Sequence, residues 1–206
     1  PIQADTSDDS SVKKLINSAI SQLGSINILV NCAASVSWRE PNPNIETLKY
    51  DEFVRSLNVK VMGYLRCARE VAPLMREQGW GRIINIAGMM ARKSGSIIGS
   101  IRNVSVVALT KNLAKELGRD GINVTCIHPG TTRTDSTPEL MERRASLEKK
   151  DLITIEREFS NETAIGRMVT AKDIAYLTCF LASPRSIAVQ GDLIVADGGS
   201  SNDIRY

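Results

Sequence analysis

A single histidine, His128, is all that the 206-residue sequence offers to imidazole chemistry, and no Cys-x-x-Cys pair accompanies it. That supply of ligands speaks against a metal site. The four cysteines, Cys32, Cys67, Cys126 and Cys179, lie far apart within apolar segments, so they read as reduced core residues and not as a disulfide framework. No apolar run approaches the length that spans a bilayer, and no signal-peptide pattern is present. Charge of one sign is never massed: the net charge is +3, and the pairs Arg143-Arg144 and Lys149-Lys150 follow Glu142 and Glu148. Nucleic acid and membrane are therefore not expected partners, and a cytoplasmic location is. The first residue is Pro1, inside what reads as the tail of a strand (1–4), so the chain is expected to be a fragment.

What is present is ordinary globular composition, 42% hydrophobic and 24% charged, which suits one domain. A chain of this length buries roughly 70% of its unfolded surface and needs no disulfide or metal to hold it. The stretch 81–117 organises the rest. It opens with a short apolar run, Arg82-Ile83-Ile84-Asn85-Ile86, which has no in/out alternation and so reads as a strand covered on both faces. A Gly- and Ser-rich loop follows over 87–99, then a helix to Leu117 that Gly118 is placed to end. The helix middle, Val104 to Leu109, is apolar on nearly every face and is expected to be buried on both sides.

In chain order, Asp5-Thr6-Ser7-Asp8-Asp9 supplies turn and N-cap chemistry. Val12, Leu15, Ile16, Ala19, Ile20 and Leu23 repeat at helical spacing up to Gly24. A short strand is expected over 26–30, opening into Asn31-Cys32-Ala33-Ala34-Ser35, and a loop through Pro41, Pro43 and Asn44. A long helix is predicted over 50–78, kinked near its end by Pro73. A strand over 122–127 ends in His128-Pro129-Gly130. The stretch 131–163 has many charges, weak periodicity and no clear strand, and is expected to form one or two small helices over the site. A helix over 171–182 and a strand over 194–196 close the chain at Asp197-Gly198-Gly199. Alternation of this kind predicts an α/β fold with a parallel, doubly wound sheet. Ligands in such folds sit at the carboxyl ends of the strands, which makes the 87–99 loop the floor of any active site.

The motifs come in a recognisable order: the Asp5-Thr6 turn; Asn31-Cys32-Ala33-Ala34; Asn58 in LNVKVMGYL; GRIINI; ALTKNLAKEL; INVTCIHPGTTRTD; IGRMVTAKDIAYLTCFLAS; and GDLIVADGG. Over essentially its whole length the chain resembles a short-chain dehydrogenase/reductase from about the third strand of that fold onward. The resemblance implies a single, partial Rossmann-type domain that lacks the first strands, with 131–163 as a helical insertion on the substrate side. It implies NAD or NADP as cofactor, a small alcohol or ketone as substrate, and a homo-oligomer when full length. Asp5 would accept from the adenine amino group with Thr6 in the same turn, and Asn31 and Ala33 would pack beside the adenosine half. Pro129, Gly130 and Thr134 would fix the nicotinamide carboxamide, and Asn58 would hold a proton-relaying water. Each of these also has a plain reading as turn, strand-end or mid-helix chemistry.

The resemblance breaks where the chemistry is. The family moves a proton through a tyrosine whose pKa a lysine four residues later lowers from about 10, both on one helix face, with a serine on the preceding loop. Counting back from LTKNLAKEL, the tyrosine position is Gly99 and the lysine position Asn103, and the serine position falls at Ala87 or Gly88. None of Tyr50, Tyr64, Tyr176 and Tyr206 has a lysine four residues on. Ser94, Ser96 and Ser100 could place a hydroxyl in the site, and Lys93 or Arg102 positive charge, though these are polar loop residues first. The family's glycine-rich phosphate loop is not among these residues. The resemblance thus points to an oxidoreductase with replaced catalytic groups, or to a non-catalytic nucleotide-binding or partner-subunit homologue. As a fragment, with its apolar edge Ile28-Leu29-Val30 unpaired, the chain is expected to aggregate and to bind neither NAD nor NADP.

Overall fold

The computed structural model describes residues 1–34 and 43–200; Ser35, Pro41 and Tyr206, and with them the loop expected through Pro41, lie outside the described residues. Asp8 starts the first helix, α1 (Asp9–Leu23), by accepting from the Ser10 and Ser11 N–H groups, and Gly24 at φ +80° ends it. Strand β1 (Ile28–Asn31) follows. Residues 50–78 form one helical rod, as the apolar stripe predicts, but not a uniform one. It consists of α2 (Tyr50–Leu57), a π-helical turn (Asn58–Met62) and α3 (Gly63–Gln78), which runs on through Pro73.

Next come β2 (Gly81–Ile86), α4 (Ile97–Leu117) and β3 (Ile122–Pro129). Beyond β3 lie β4 (Thr132–Arg133), α5 (Thr137–Glu148), α6 (Leu152–Asn161), β5 (Val169–Thr170), α7 (Ala171–Ala182) and β6 (Leu193–Ala196). The main sheet is parallel throughout, in the order β1-β2-β3-β6. On one face, Val12 and Ile16 of α1 and Val71 and Met75 of α3 close over Ile83 and Val124, with Ala114 and Leu117 of α4. On the other, Leu181 of α7 covers Ile84 and Ile127. Helices on both faces of a parallel sheet make this a Rossmann-like α/β fold.

Several expectations are corrected by this structure. Residues 1–4 form no strand, because a strand needs a ladder partner and the only strand paired with β1 is β2 among the described residues. Gly118 does follow the last residue of α4, as expected, but not by a left-handed turn. It stays right-handed at φ −62°, and the chain leaves only at Gly121, φ +77°, after a 3-10 turn. Glycine suits position 118 for another reason: a Cβ there would lie 2.9 Å from the Gln190 amide. The middle of α4 is not covered on both sides, for Ile101 is 44% and Val104 50% exposed. The stretch 131–163 does contain a strand, β4, which pairs with β5; two residues are too few to leave a periodic signal. Of the cysteines, Cys67 and Cys126 are buried, whereas Cys32, at the open end of β1, and Cys179, on α7, are exposed.

Candidate active site

The carboxyl ends of the strands bring together Asn31 to Ala34, the peptide Ala87–Gly88, Pro129–Gly130 and Asp197 to Gly199. Beneath them runs a buried polar chain. Asn31 Nδ2 donates to Asn85 Oδ1 at 2.9 Å, Asn85 Nδ2 to Thr110 Oγ1 at 2.9 Å, and Thr110 Oγ1 to the Val106 carbonyl at 2.8 Å. Each amide has its partner, as burial demands. Asn31 therefore ties two strand ends together, while Ala33 packs half-buried against Tyr64, Ala87 and Val106.

The loop after β2 is held from below by a residue on the π turn. Lys60 Nζ donates to the Ala87 carbonyl at 2.8 Å and to Asn103 Oδ1 at 2.9 Å. Asn103 Nδ2 in turn donates to the Gly99 carbonyl at 2.8 Å. Gly88 sits against the same amide, since a Cβ there would lie 3.3 Å from Asn103 Oδ1. So Gly88, Gly99 and Asn103 do converge, and Lys60 joins them. A side chain at Gly99 would meet Ser96 Oγ at 2.9 Å and Met90 Cγ at 3.1 Å. The space a tyrosine would take is filled by the loop itself.

Neither serine hydroxyl is free for chemistry. Ser96 Oγ accepts from the Gly99 N–H as the N-cap of α4, and Ser100 Oγ donates to the Lys93 carbonyl. Asn58, two residues before Lys60, faces elsewhere. Its Oδ1 accepts from Arg66 at 2.8 Å and its Nδ2 donates to the Ser7 carbonyl at 3.3 Å. Asp5 is exposed, and the Ser7 hydroxyl and N–H hold its carboxyl below the usual range. Thr6 Oγ1 donates to the Val59 carbonyl, and Thr6 packs on Gly63 so closely that a Cβ there would meet it at 2.8 Å.

On the other side, Pro129 pairs with Ala196 and the Gly130 N–H donates to the Ala196 carbonyl. A Cβ on Gly130 would lie 2.7 Å from the Asp197 Cα, so glycine is required for this close approach. The Thr134 N–H donates to Thr137 Oγ1 at 2.7 Å, and the Thr134 hydroxyl shares a hydrogen bond with Ser136 at 3.0 Å. It borders a cavity of about 730 Å³ between the β4–β5 pair and helices α5 and α6, with Met141, Leu152, Glu156 and Lys172 also on its walls.

Electrostatics single out Lys60. Burial, and then the Arg102 guanidinium nearby, lower its pKa from 10.5 to about 8. Burial also drives the Tyr64 hydroxyl strongly upward, and that hydroxyl donates to the Ile86 carbonyl at 3.1 Å. Tyr64 is thus a structural tyrosine. Sequence reasoning passed over Lys60, although a signal exists: Lys60 and Tyr64 are four residues apart in the reverse of the order sought, and a lysine interrupts the apolar run Val59 to Met62. No metal-holding cluster of His, Cys, Asp and Glu occurs among the described residues, and none of their helices is long and apolar enough to cross a membrane.

Comparison with known proteins agrees with this architecture. The family described as enoyl-(acyl carrier protein) reductase matches residues 1–201. The short-chain reductase protein NovJ of Streptomyces niveus is 33% identical over 189 residues, which cover 91% of this chain and 69% of that protein. A 3alpha-hydroxysteroid dehydrogenase of Mediterraneibacter gnavus is 32% identical over 199 residues, covering 94% of this chain and 72% of its own. In structure, the L-sorbose reductase of Gluconobacter frateurii, solved with NADPH and L-sorbose, superposes with a TM-score of 0.90 at 26% identity, over 98% of this chain and 77% of that one. Sequence, sheet order and strand-end loops agree on one assignment: the chain belongs to the short-chain dehydrogenase/reductase family.

Proposed function

We propose that this chain is the greater part of a divergent NAD(P)-linked oxidoreductase domain that takes a small alcohol or ketone over the 87–100 loop without the tyrosine mechanism. The observation that carries this is at α4. Positions 99 and 103 are Gly99 and Asn103, and the Asn103 amide is engaged on both sides, by Lys60 and by the Gly99 carbonyl. Residues 1–206 act as one partial domain, with 131–163 as the substrate-side insertion whose helices border the 730 Å³ cavity.

The donor and acceptor set fits the outer parts of a dinucleotide. Asp5 presents an ionised, exposed carboxylate in which only Oδ1 is used locally, suited to an exocyclic amine. Thr134 offers a surface hydroxyl beside Pro129–Gly130. Bound there, the nicotinamide supplies or accepts hydride. This chain's residues hold and orient: Lys60 pins the Ala87 carbonyl and the Asn103 amide, fixing the floor, and the N-cap at Ser96 fixes the loop's far end. Tyr64, the tyrosine beneath the floor, has its hydroxyl pushed upward by burial and so is not suited to move a proton.

The test is a screen of alcohols and ketones with each cofactor, on the whole protein, followed by nicotinamide absorbance. Cofactor binding is expected, with turnover about 10²–10⁴-fold below that of an enzyme with a positioned acid. Ordinary rates on any simple substrate would refute the reading. A second reading, a non-catalytic homologue that pairs with another subunit, is favoured by the exposed apolar stripe Ile97, Ile101 and Val104 on α4. The same stripe suits a homo-oligomer built across a two-fold axis.

A further inference from the structure

Two side-chain cations are buried beneath the 87–100 loop, and no carboxylate of the described residues balances them. Lys60 is 4% and Arg102 8% exposed. The Lys60 ammonium donates to two neutral oxygens, the Ala87 carbonyl and Asn103 Oδ1, and has a third N–H to give. Arg102 donates from Nη1 to Ser56 Oγ at 3.0 Å, while its buried Nε has no acceptor. Among the described residues no carboxylate forms an ion pair with either. Asp197, the buried acid at these strand ends, is spent on the Gly199 N–H and the Ser200 hydroxyl.

Buried charges are ordinarily paired, because removing an ion from water costs several kcal/mol. Here the two like charges also oppose each other: Arg102 disfavours the protonated form of Lys60. Packing does not require this. An apolar side chain of similar volume would fill either place at lower cost. What the arrangement does provide is a guanidinium Nε without an acceptor and an ammonium N–H beyond its two bonds, both buried beneath the same loop. A planar two-oxygen anion is the group that takes an arginine side-on through Nε.

We infer that Lys60 and Arg102 form a receptor for a carboxylate borne by the substrate. The inference rests on the reading that the 87–100 loop is the substrate floor. A carboxylate fits better than a phosphate because few donors are on offer. The nearby N-terminus of α4 is closed by its own cap, with the Gly99 N–H given to Ser96. Binding requires the ammonium form. The groups facing Lys60 are Arg102 from α4, Tyr64 from α3, Cys32 beyond β1 and Cys126 from β3. None of these supplies a negative charge at neutral pH, so affinity should fall as pH rises past the lysine's own titration.

The experiment is an NMR titration of the whole protein carrying labelled lysine, with sodium benzoate and sodium acetate as probes and benzyl alcohol and sodium phosphate as controls. Both carboxylates are expected to shift the Lys60 Cε and Nζ signals saturably, more tightly than phosphate, with benzyl alcohol inert. Arg102→Met should weaken benzoate by about tenfold or more without lowering the melting temperature, which a merely structural arginine would lower. If that variant does not fold, Lys60→Met and the unmodified protein carry the test. No saturable shift at Lys60, an equal response to benzyl alcohol, tighter binding of phosphate, or unchanged affinity in Arg102→Met would overturn the receptor. NADPH binding, followed by fluorescence on the same sample, separates the two readings. Its loss with benzoate binding intact counts against the oxidoreductase reading, and the converse counts against the receptor.

Discussion

Lys60 Nζ lies 2.9 Å from Asn103 Oδ1, so the cation beneath the 87–100 loop comes from the wall opposite α4 and the amide from α4 itself. The family resemblance places a lysine at 103 and an asparagine on the facing helix. Here Asn103 stands at the lysine position, and a lysine, Lys60, lies two residues past Asn58 on the facing helix. Asn103→Lys alone would remove an acceptor from Lys60 and set a second ammonium against it. A loss of about 1–3 kcal/mol is expected. Lys60→Asn combined with Asn103→Lys should recover most of it. Denaturant unfolding of the four proteins in a double-mutant cycle measures the coupling; additive losses would mean the two residues do not act as a pair.

Lys60 also sets a pH dependence. Its pKa in the fold is about 8 against an ordinary 10.5, so between those values the unfolded chain binds more protons. Stability therefore rises with pH across that window, and the full penalty stands below about pH 8. Thermal melts of the whole protein from neutral to alkaline pH should show this rise, and Lys60→Met should flatten it.

Gly121 sits at φ +77°, where a Cβ would come 2.1 Å from the Gly79 carbonyl oxygen. Gly79, at φ +63°, ends α3 just before β2, and Gly121 precedes β3. Gly121→Ala thus brings a disfavoured backbone and a backbone clash at the foot of the two central strands. A cost of about 3 kcal/mol or more is expected. Gly24→Ala, with the same sign of φ but nothing within 4 Å of its Cβ, should cost only about 1 kcal/mol. Equal losses in the two variants would show that the contact with Gly79 is relieved.

The apolar stripe of α4 predicts assembly. Ile101 and Val104 are turned outward on a helix whose other face is buried. Light scattering of the whole protein should give a dimer or tetramer, and Ile101→Glu with Val104→Glu should give monomers with the fold retained by circular dichroism. A monomeric parent protein contradicts this.

The scaffold was legible in the sequence because its signals are local. Gly24 after the periodic run 12–23 and Thr170 before Asp173 mark helix ends by their own chemistry. Runs such as Ile83-Ile84 mark buried strands. The site was half legible. Gly88, Gly99 and Asn103 converge where counting along α4 puts them, whereas Lys60 was invisible to a search for tyrosine followed by lysine. Its place depends on which way the π turn aims it, and that is a tertiary fact. Likewise Asn58 matches a motif letter but bonds to Arg66 on α3 and to Ser7 in the turn before α1, neighbours that only the tertiary fold supplies. The β4–β5 pair joins residues far apart in the chain and two residues long, below what any periodicity reveals.

The π turn at Asn58–Met62 makes the cationic floor a matter of chain length. A π turn holds more residues than the α-helical turns on either side, so it takes up the extra residue within one turn. Deleting one residue there would wind the rod into continuous α-helix with α2 still in phase with α3, because the wider turn is what absorbs the extra residue. Ser56 would stay beside Arg102 and the stripe of α3 would stay on the sheet, while the residues within the turn would be re-aimed and the lysine would leave the Ala87 carbonyl. A lineage could thus gain or lose this charge by one codon inserted or removed, with the fold untouched. What such a lineage must keep is the number of residues between Ser56 and Gly63 as much as their identity.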